Sequence, residues 1–145
     1  MEAIFKDEVF YITGSSGGIG FATAKLCIEK GATVVITGRD ADNLKNAEAE
    51  LLKISPKVIS HNVDVSNELA IIESLNEVYK SCGRIDGLVN NAPSIHTGKI
   101  TDLSLSAWKT NFKANLDAVF LATKTVLPWM IEAKQGSIVN IASVV

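Results

Sequence analysis

Residues 13–24 read "TGSSGGIGFATA" and follow directly on the β-branched and aromatic run "VFYIT" (9–13). Gly14, Gly18 and Gly20 fall at a G-x-x-x-G-x-G spacing where a strand pattern gives way to a helical one. Without Cβ atoms the chain can turn sharply there, and its N–H groups can approach a pyrophosphate closely. The positive end of the following helix then faces the same anion. The stretch therefore reads as a dinucleotide loop contributed by Gly14, Ser15, Ser16, Gly18, Ile19 and Gly20, a tight turn without a ligand being the alternative. No Lys-Ser/Thr pair follows Gly20, which excludes a triphosphate P-loop.

Outward from this corner, short apolar runs alternate with helical patterns. The runs are "TVVIT" (33–37), "KVISHN" (57–62), "GLVN" (87–90) and "SIVNIA" (137–142). They are apolar on both faces, as central strands of a parallel sheet must be. Leu44, Ala47, Leu51 and Ile54 share one face of a second helix. Ile71, Leu75 and Val78 do so in a third, with Ser66 placed to cap it. A long fourth helix carries Trp108, Phe112, Asn115, Val119, Phe120 and Leu127 at three- and four-residue steps, and Pro128 is expected to kink or end it. The order βαβαβαβαβ predicts a doubly wound α/β sheet, Rossmann-like, with strand order 3-2-1-4-5. Right-handed crossovers put helices one and two on one face and helices three and four on the other. The strands around Val89 and Val139 are then expected to lack cover on the first face, so the sheet reads as incomplete on its C-terminal side.

Composition narrows the partners. The chain has 145 residues, 47% hydrophobic and 21% charged, with a net charge of −2. That charge gives no reason to expect nucleic acid, and no apolar run approaches the ~20 residues that span a bilayer. The first residues carry acids and no basic region, unlike a signal peptide. Cys27 and Cys82 belong to no metal-ligand spacing, so no metal is expected and a cytoplasmic location with free thiols fits. His61 and His96 stand alone and read as structural.

The second strand ends "VVITGRD". At this tip an acid would accept from the free 2′-hydroxyl of NAD, whereas an arginine suits the 2′-phosphate of NADP. Gly38 occupies the acid's natural place and Arg39 follows it, favouring NADP(H) over NAD(H). Asp40 has two readings, a ribose ligand or the N-cap of the next helix, and the cap is preferred.

Taken together, the motifs resemble the short-chain dehydrogenase/reductase family. They are Thr13-Gly14-x-x-x-Gly18-Ile19-Gly20, Asp64-Val65 after the third strand, Asn90-Asn91-Ala92 after the fourth, Asn115 in the long helix and "GSIVNIAS" (136–143). The resemblance covers the whole chain. It implies that Asp64 binds the adenine with Val65 packed beside the ring, that Asn90 and Ala92 line the path to the nicotinamide ribose, and that Asn91 steadies the central strands. It also implies that Asn115 holds a water in a proton relay and that Ser143 hydrogen-bonds the carbonyl of a small-molecule substrate. From the residues alone, Asn115 could instead be satisfied by backbone groups at a helix–strand contact, and Ser143 could merely finish a strand. Two positions depart from the pattern: Pro93 stands where glycine is usual, and Ala142 where a second serine is common.

Hydride transfer to a carbonyl also needs an acid for the developing oxyanion. In the family this is a tyrosine in a Tyr-x-x-x-Lys pair on the helix after the fifth strand. The two tyrosines here are Tyr11, in the first strand, and Tyr79, at the end of the third helix, and neither forms that pair. The expectation is therefore an N-terminal, NAD(P)-binding portion (1–145) of a longer carbonyl/alcohol oxidoreductase, inactive alone, whose full-length form leaves a homo-oligomer open. A non-catalytic dinucleotide- or partner-binding module is the alternative.

Overall fold

A computed structural model describes residues 3–143. Five parallel strands are ordered 3-2-1-4-5: β1 Val9–Ile12, β2 Thr33–Gly38, β3 Val58–Asn62, β4 Gly87–Asn90 and β5 Ser137–Asn140. Between them run α1 Gly18–Glu29, α2 Ala41–Leu52 and α3 Glu68–Cys82. From β4 to β5 the chain passes through α4 Leu105–Phe112, a π-helical turn Lys113–Asp117 and α5 Ala118–Ala133.

The two faces of the sheet carry separate cores. Ile12, Val34, Ile36 and Val89 pack under Ala24, Ile28, Leu44 and Leu51 from α1 and α2. On the opposite face, Tyr11, Val35 and Leu88 meet Ile71, Leu75 and Val78 of α3 and the small residues Ala118 and Ala122 of α5. The expected open face is confined to β5. Val89 is 7% exposed, whereas Val139 is 47% exposed.

Four local expectations are corrected. Asn67, not Ser66, caps α3: its Oδ1 accepts from the N–H groups of Leu69 and Ala70, and Ser66 instead pairs with Asp64. Ile54 lies beyond the end of α2 and is exposed. The buried face of the long helix is Ala114, Ala118, Ala122, Val126 and Met130, while Trp108, Phe112, Phe120 and Leu127 point outward. Alanines let the helix lie close on the sheet, so the small residues face in and the bulky ones are left outside. Pro128 does not end α5, which runs on to Ala133. The cap at Asp40 is as read, with Oδ1 accepting from the Asn43 N–H at 2.8 Å.

A polar chain threads the second core. The Tyr11 hydroxyl meets Ser74 Oγ at 2.6 Å, and Ser74 Oγ meets His61 Nδ1 at 2.7 Å. Burial pushes the Tyr11 hydroxyl far above the ordinary tyrosine value; the Ser74 hydrogen bond opposes this and the charge of Glu77 adds to it. A raised folded-state pKa gives stability that is complete below the unfolded value and is lost as pH rises above it. The urea stability of the wild type should therefore fall relative to Tyr11→Phe by about 1.4 kcal/mol per unit above pH ~10. Parallel pH dependences of the two proteins between pH 9 and 11 would rule this out.

Candidate nucleotide-binding site

Parallel strands deliver all their βα corners to one edge of the sheet, and the sequence-predicted residues gather there. At the first corner, Gly14 has φ +62°, and a Cβ on it would lie 2.6 Å from the Ala92 Cα. A Cβ on Gly20 would lie 2.5 Å from Asn91 Nδ2 and 2.6 Å from the Gly14 carbonyl oxygen. Both glycines are thus required by close approach of the loops after β1 and β4. Side chains cap α2, α3 and α4, but none caps α1, whose N-cap is Gly17. Gly18 and Ile19 of its first turn are exposed, and their N–H groups are open to an anion. A glycine cradle that side chains would fill, beneath an uncapped helix start, fits a dinucleotide pyrophosphate.

The two serines of the loop differ. Ser15 is fully buried; its hydroxyl donates to the Ile12 carbonyl at 2.6 Å and accepts from the Thr37 N–H at 2.9 Å, while its own N–H donates to the Thr37 carbonyl. Its side chain is committed to joining β1 and β2. Ser16 packs against the tip of β2, where a Cβ on Gly38 would meet its Oγ at 2.8 Å. A side chain at position 38 would therefore require Ser16 to shift. Arg39, next in line, is exposed, and none of the described residues pairs with its guanidinium.

The third and fourth corners complete the edge. Asp64 Oδ1 accepts from the Ser66 N–H and hydroxyl, leaving Oδ2 for a ligand, and Val65 is buried beside it. Asn90 is 5% exposed and donates through Nδ2 to Asn140 Oδ1 across the β4–β5 register. Asn91 Nδ2 donates to the carbonyls of Thr13 and Gly14, and Thr13 Oγ1 accepts from the N–H groups of Asn91 and Ala92. Asn115, in the π turn, accepts from the Ser94 N–H at 2.9 Å and donates to the Ser94 carbonyl at 2.7 Å. The backbone-satisfied reading of Asn115 is thus what its side chain does, although each amide atom keeps capacity for one more partner. Ser143 follows β5 on this same edge and is exposed.

Sequence reasoning gave no site role to Thr13, Ser94, Asn111 or Asn140. Thr13 sits inside the quoted motif, and Asn111 lies one helical turn before Asn115, so both were visible; Asn140 needed the β4–β5 register. The tyrosines lie elsewhere. Tyr11 is fully buried, and Tyr79 stacks on Trp129 with ring centroids 4.1 Å apart.

The sequence matches the short chain dehydrogenase family over residues 8–145. It is 33% identical over 141 residues to an uncharacterized oxidoreductase of Staphylococcus aureus, covering 97% of this chain and 60% of that protein. Over 138 residues it is 37% identical to the (2S)-[(R)-hydroxy(phenyl)methyl]succinyl-CoA dehydrogenase subunit BbsD of Thauera aromatica, covering 95% and 56%. A metagenomic short-chain oxidoreductase crystallised with NADP superimposes with a TM-score of 0.91 at 36% identity, covering 96% of this chain and 63% of that one. NAD+-bound xylitol dehydrogenase superimposes with 0.90 at 30% identity, covering 97% and 54%. The chain thus spans about 60% of the length of the relatives it matches.

Proposed function

Because the chain belongs to the short-chain dehydrogenase family, we propose that residues 1–145 are the NAD(P)-binding portion of an oxidoreductase that interconverts a small-molecule carbonyl and an alcohol with NADP(H) in preference to NAD(H). The observation that carries this reading is the cradle of Gly14 and Gly20 beneath the uncapped start of α1. In the proposal, Gly14, Ser16, Gly18, Ile19 and Gly20 hold the pyrophosphate, with Ser15 bracing the loop from below. Arg39 takes the 2′-phosphate, Asp64 and Val65 the adenine, and Asn90 and Ala92 the nicotinamide ribose. When bound, the nicotinamide supplies or accepts the hydride. Ser143 donates to the carbonyl oxygen as negative charge builds on it, and Asn115 orders a water beside it.

The proton donor is proposed to come from outside residues 1–145, since Tyr11 is sealed in the core and Tyr79 faces Trp129. The same placement favours a second reading, a dinucleotide-binding module without chemistry; measurable carbonyl reduction by the 145-residue chain would overturn it. The exposed apolar ridge of Leu105, Trp108, Phe112, Leu116 and Phe120 is read as a contact between copies in a homo-oligomer. No helix among the described residues is long and apolar enough to cross a membrane. A cytoplasmic location is part of the proposal, on the free thiols Cys27 and Cys82.

Calorimetric titration with the two reduced nucleotides tests the cofactor. Arg39→Ala is expected to weaken NADPH by about 1–3 kcal/mol, roughly 5- to 150-fold, through loss of a charge-assisted contact, and to leave NADH nearly unchanged. Equal losses for both nucleotides would remove Arg39 from the phosphate.

A further inference from the structure

The hydroxyl of Ser66 is surplus to the fold around it. Asn67 caps α3 with its own side chain, its Oδ1 accepting from the N–H groups of Leu69 and Ala70. The turn that leads into the helix is closed by backbone, the Asn67 N–H donating to the Asp64 carbonyl at 3.0 Å. Neither task is left to the Ser66 side chain. Its Oγ instead donates to Asp64 Oδ1 at 2.7 Å, and its N–H donates to the same oxygen at 2.9 Å.

Two donors on one oxygen do more than satisfy it. Together they fix the direction and the plane of a carboxylate that is exposed and otherwise free to turn about χ1 and χ2. Oδ2 is the acceptor that remains, and no described residue donates to it. The next N–H along the chain, that of Val65, is likewise without a described acceptor. Beneath them the backbone is held. Val65 is buried, and the Val63 N–H and Asn62 Nδ2 both donate to the Gly38 carbonyl, at 3.1 and 2.8 Å, which ties the third corner to the tip of β2. The side-chain torsions of Asp64 are thus the freedom that Ser66 removes.

An ionised carboxylate oxygen can only accept. It suits the amino group that adenine carries at C6 and opposes the carbonyl oxygen that hypoxanthine, like guanine, carries at the same place. A carboxylate aimed in advance leaves no side chain to be ordered when the base arrives, and ordering one side chain is worth a few-fold in affinity. The gain falls on a base with the amino group and not on one without it.

We propose that Ser66 is a positioning residue for the nucleotide: by holding Oδ1 it aims Oδ2 of Asp64 at the base amino group, and so sets the preference for adenine. This rests on the reading above that Asp64 takes the adenine. Calorimetric titration with NADPH and with its hypoxanthine analogue tests it in the wild type, Ser66→Ala and Ser66→Thr. The wild type should prefer NADPH about tenfold. Ser66→Ala should weaken NADPH about fivefold and leave the analogue nearly unchanged, so that the preference shrinks to about twofold. Ser66→Thr keeps the hydroxyl and should keep the preference. Since neither cap nor turn uses the hydroxyl, Ser66→Ala should also unfold at nearly the wild-type urea concentration. A merely structural role would weaken both nucleotides together. Equal losses for both, an undiminished preference in Ser66→Ala, or tighter binding of NADPH there would overturn the role of Ser66 and leave Asp64 on the adenine. A wild type that binds both nucleotides equally well overturns the adenine assignment, and the role of Ser66 with it. Binding of neither overturns the reductase reading itself.

Discussion

Alanine at Gly20 is expected to abolish detectable NADPH binding at concentrations that saturate the wild type, and to lower stability by about 2–3 kcal/mol. The added methyl carbon would lie 2.5 Å from Asn91 Nδ2 and 2.6 Å from the Gly14 carbonyl oxygen, and the second neighbour is backbone. Relief therefore requires α1 to move outward or the Gly14 turn to open, and either displaces the N–H groups proposed to hold the pyrophosphate. Pushing Asn91 aside also breaks its two bonds to the Thr13 and Gly14 carbonyls, so the loop after β4 loosens as well. Gly17 provides the control. Its backbone is extended and nothing lies within 4 Å of where its Cβ would be, so Gly17→Ala should leave stability within about 0.5 kcal/mol of wild type. Urea denaturation and calorimetry on both variants decide the point. Wild-type stability together with wild-type NADPH affinity in Gly20→Ala would discard the cradle.

What could be read from the chain and what could not divide along a physical line. Sheet order and helix sides follow from alternation and handedness, which are local and topological, so "TVVIT" and "GLVN" sufficed to place the strands. The Gly38-Arg39 pair was legible as an absence of acid, but the nearness of Ser16, whose Oγ lies 2.8 Å from where a Cβ on Gly38 would be, arises only on folding. The three- and four-residue steps of Trp108, Phe112 and Phe120 mark a helical stripe without fixing which way it faces. At Ala118 and Ala122 close approach to the sheet selected small residues, and Trp108 and Phe120 were left outside. That Asn115 is satisfied by backbone groups is legible in the sequence, but that those groups belong to Ser94, and that Asn111 pairs in the same way with His96, exists only after folding.

At the opposite edge of the sheet, Asp86→Ala is expected to cost about 2–4 kcal/mol while leaving NADPH affinity of the folded protein unchanged. Asp86 joins the starts of three strands. Its Oδ2 accepts from the Val9 N–H, its own N–H donates to the Val9 carbonyl, and its carbonyl accepts from the Ser137 N–H, each at 2.8 Å. The carboxylate is 7% exposed, so alanine leaves the buried Val9 N–H without an acceptor, which alone costs about 1–3 kcal/mol. Arg84, bidentate to the same carboxylate, is 44% exposed and returns to water when its partner goes. Its share of the pair is correspondingly small, and Arg84→Ala should cost no more than about 1 kcal/mol. Equal losses in the two variants would assign the effect to the ion pair and not to the strand amide. β5 depends most on this contact, because among the described residues it pairs with β4 alone and its outer face is open. The backbone carbonyl that holds Ser137 survives the substitution, however, so β5 should keep its register and the Asn90–Asn140 pair should persist. Stability and nucleotide affinity are thus expected to separate at this residue, whereas at Gly20 they fall together.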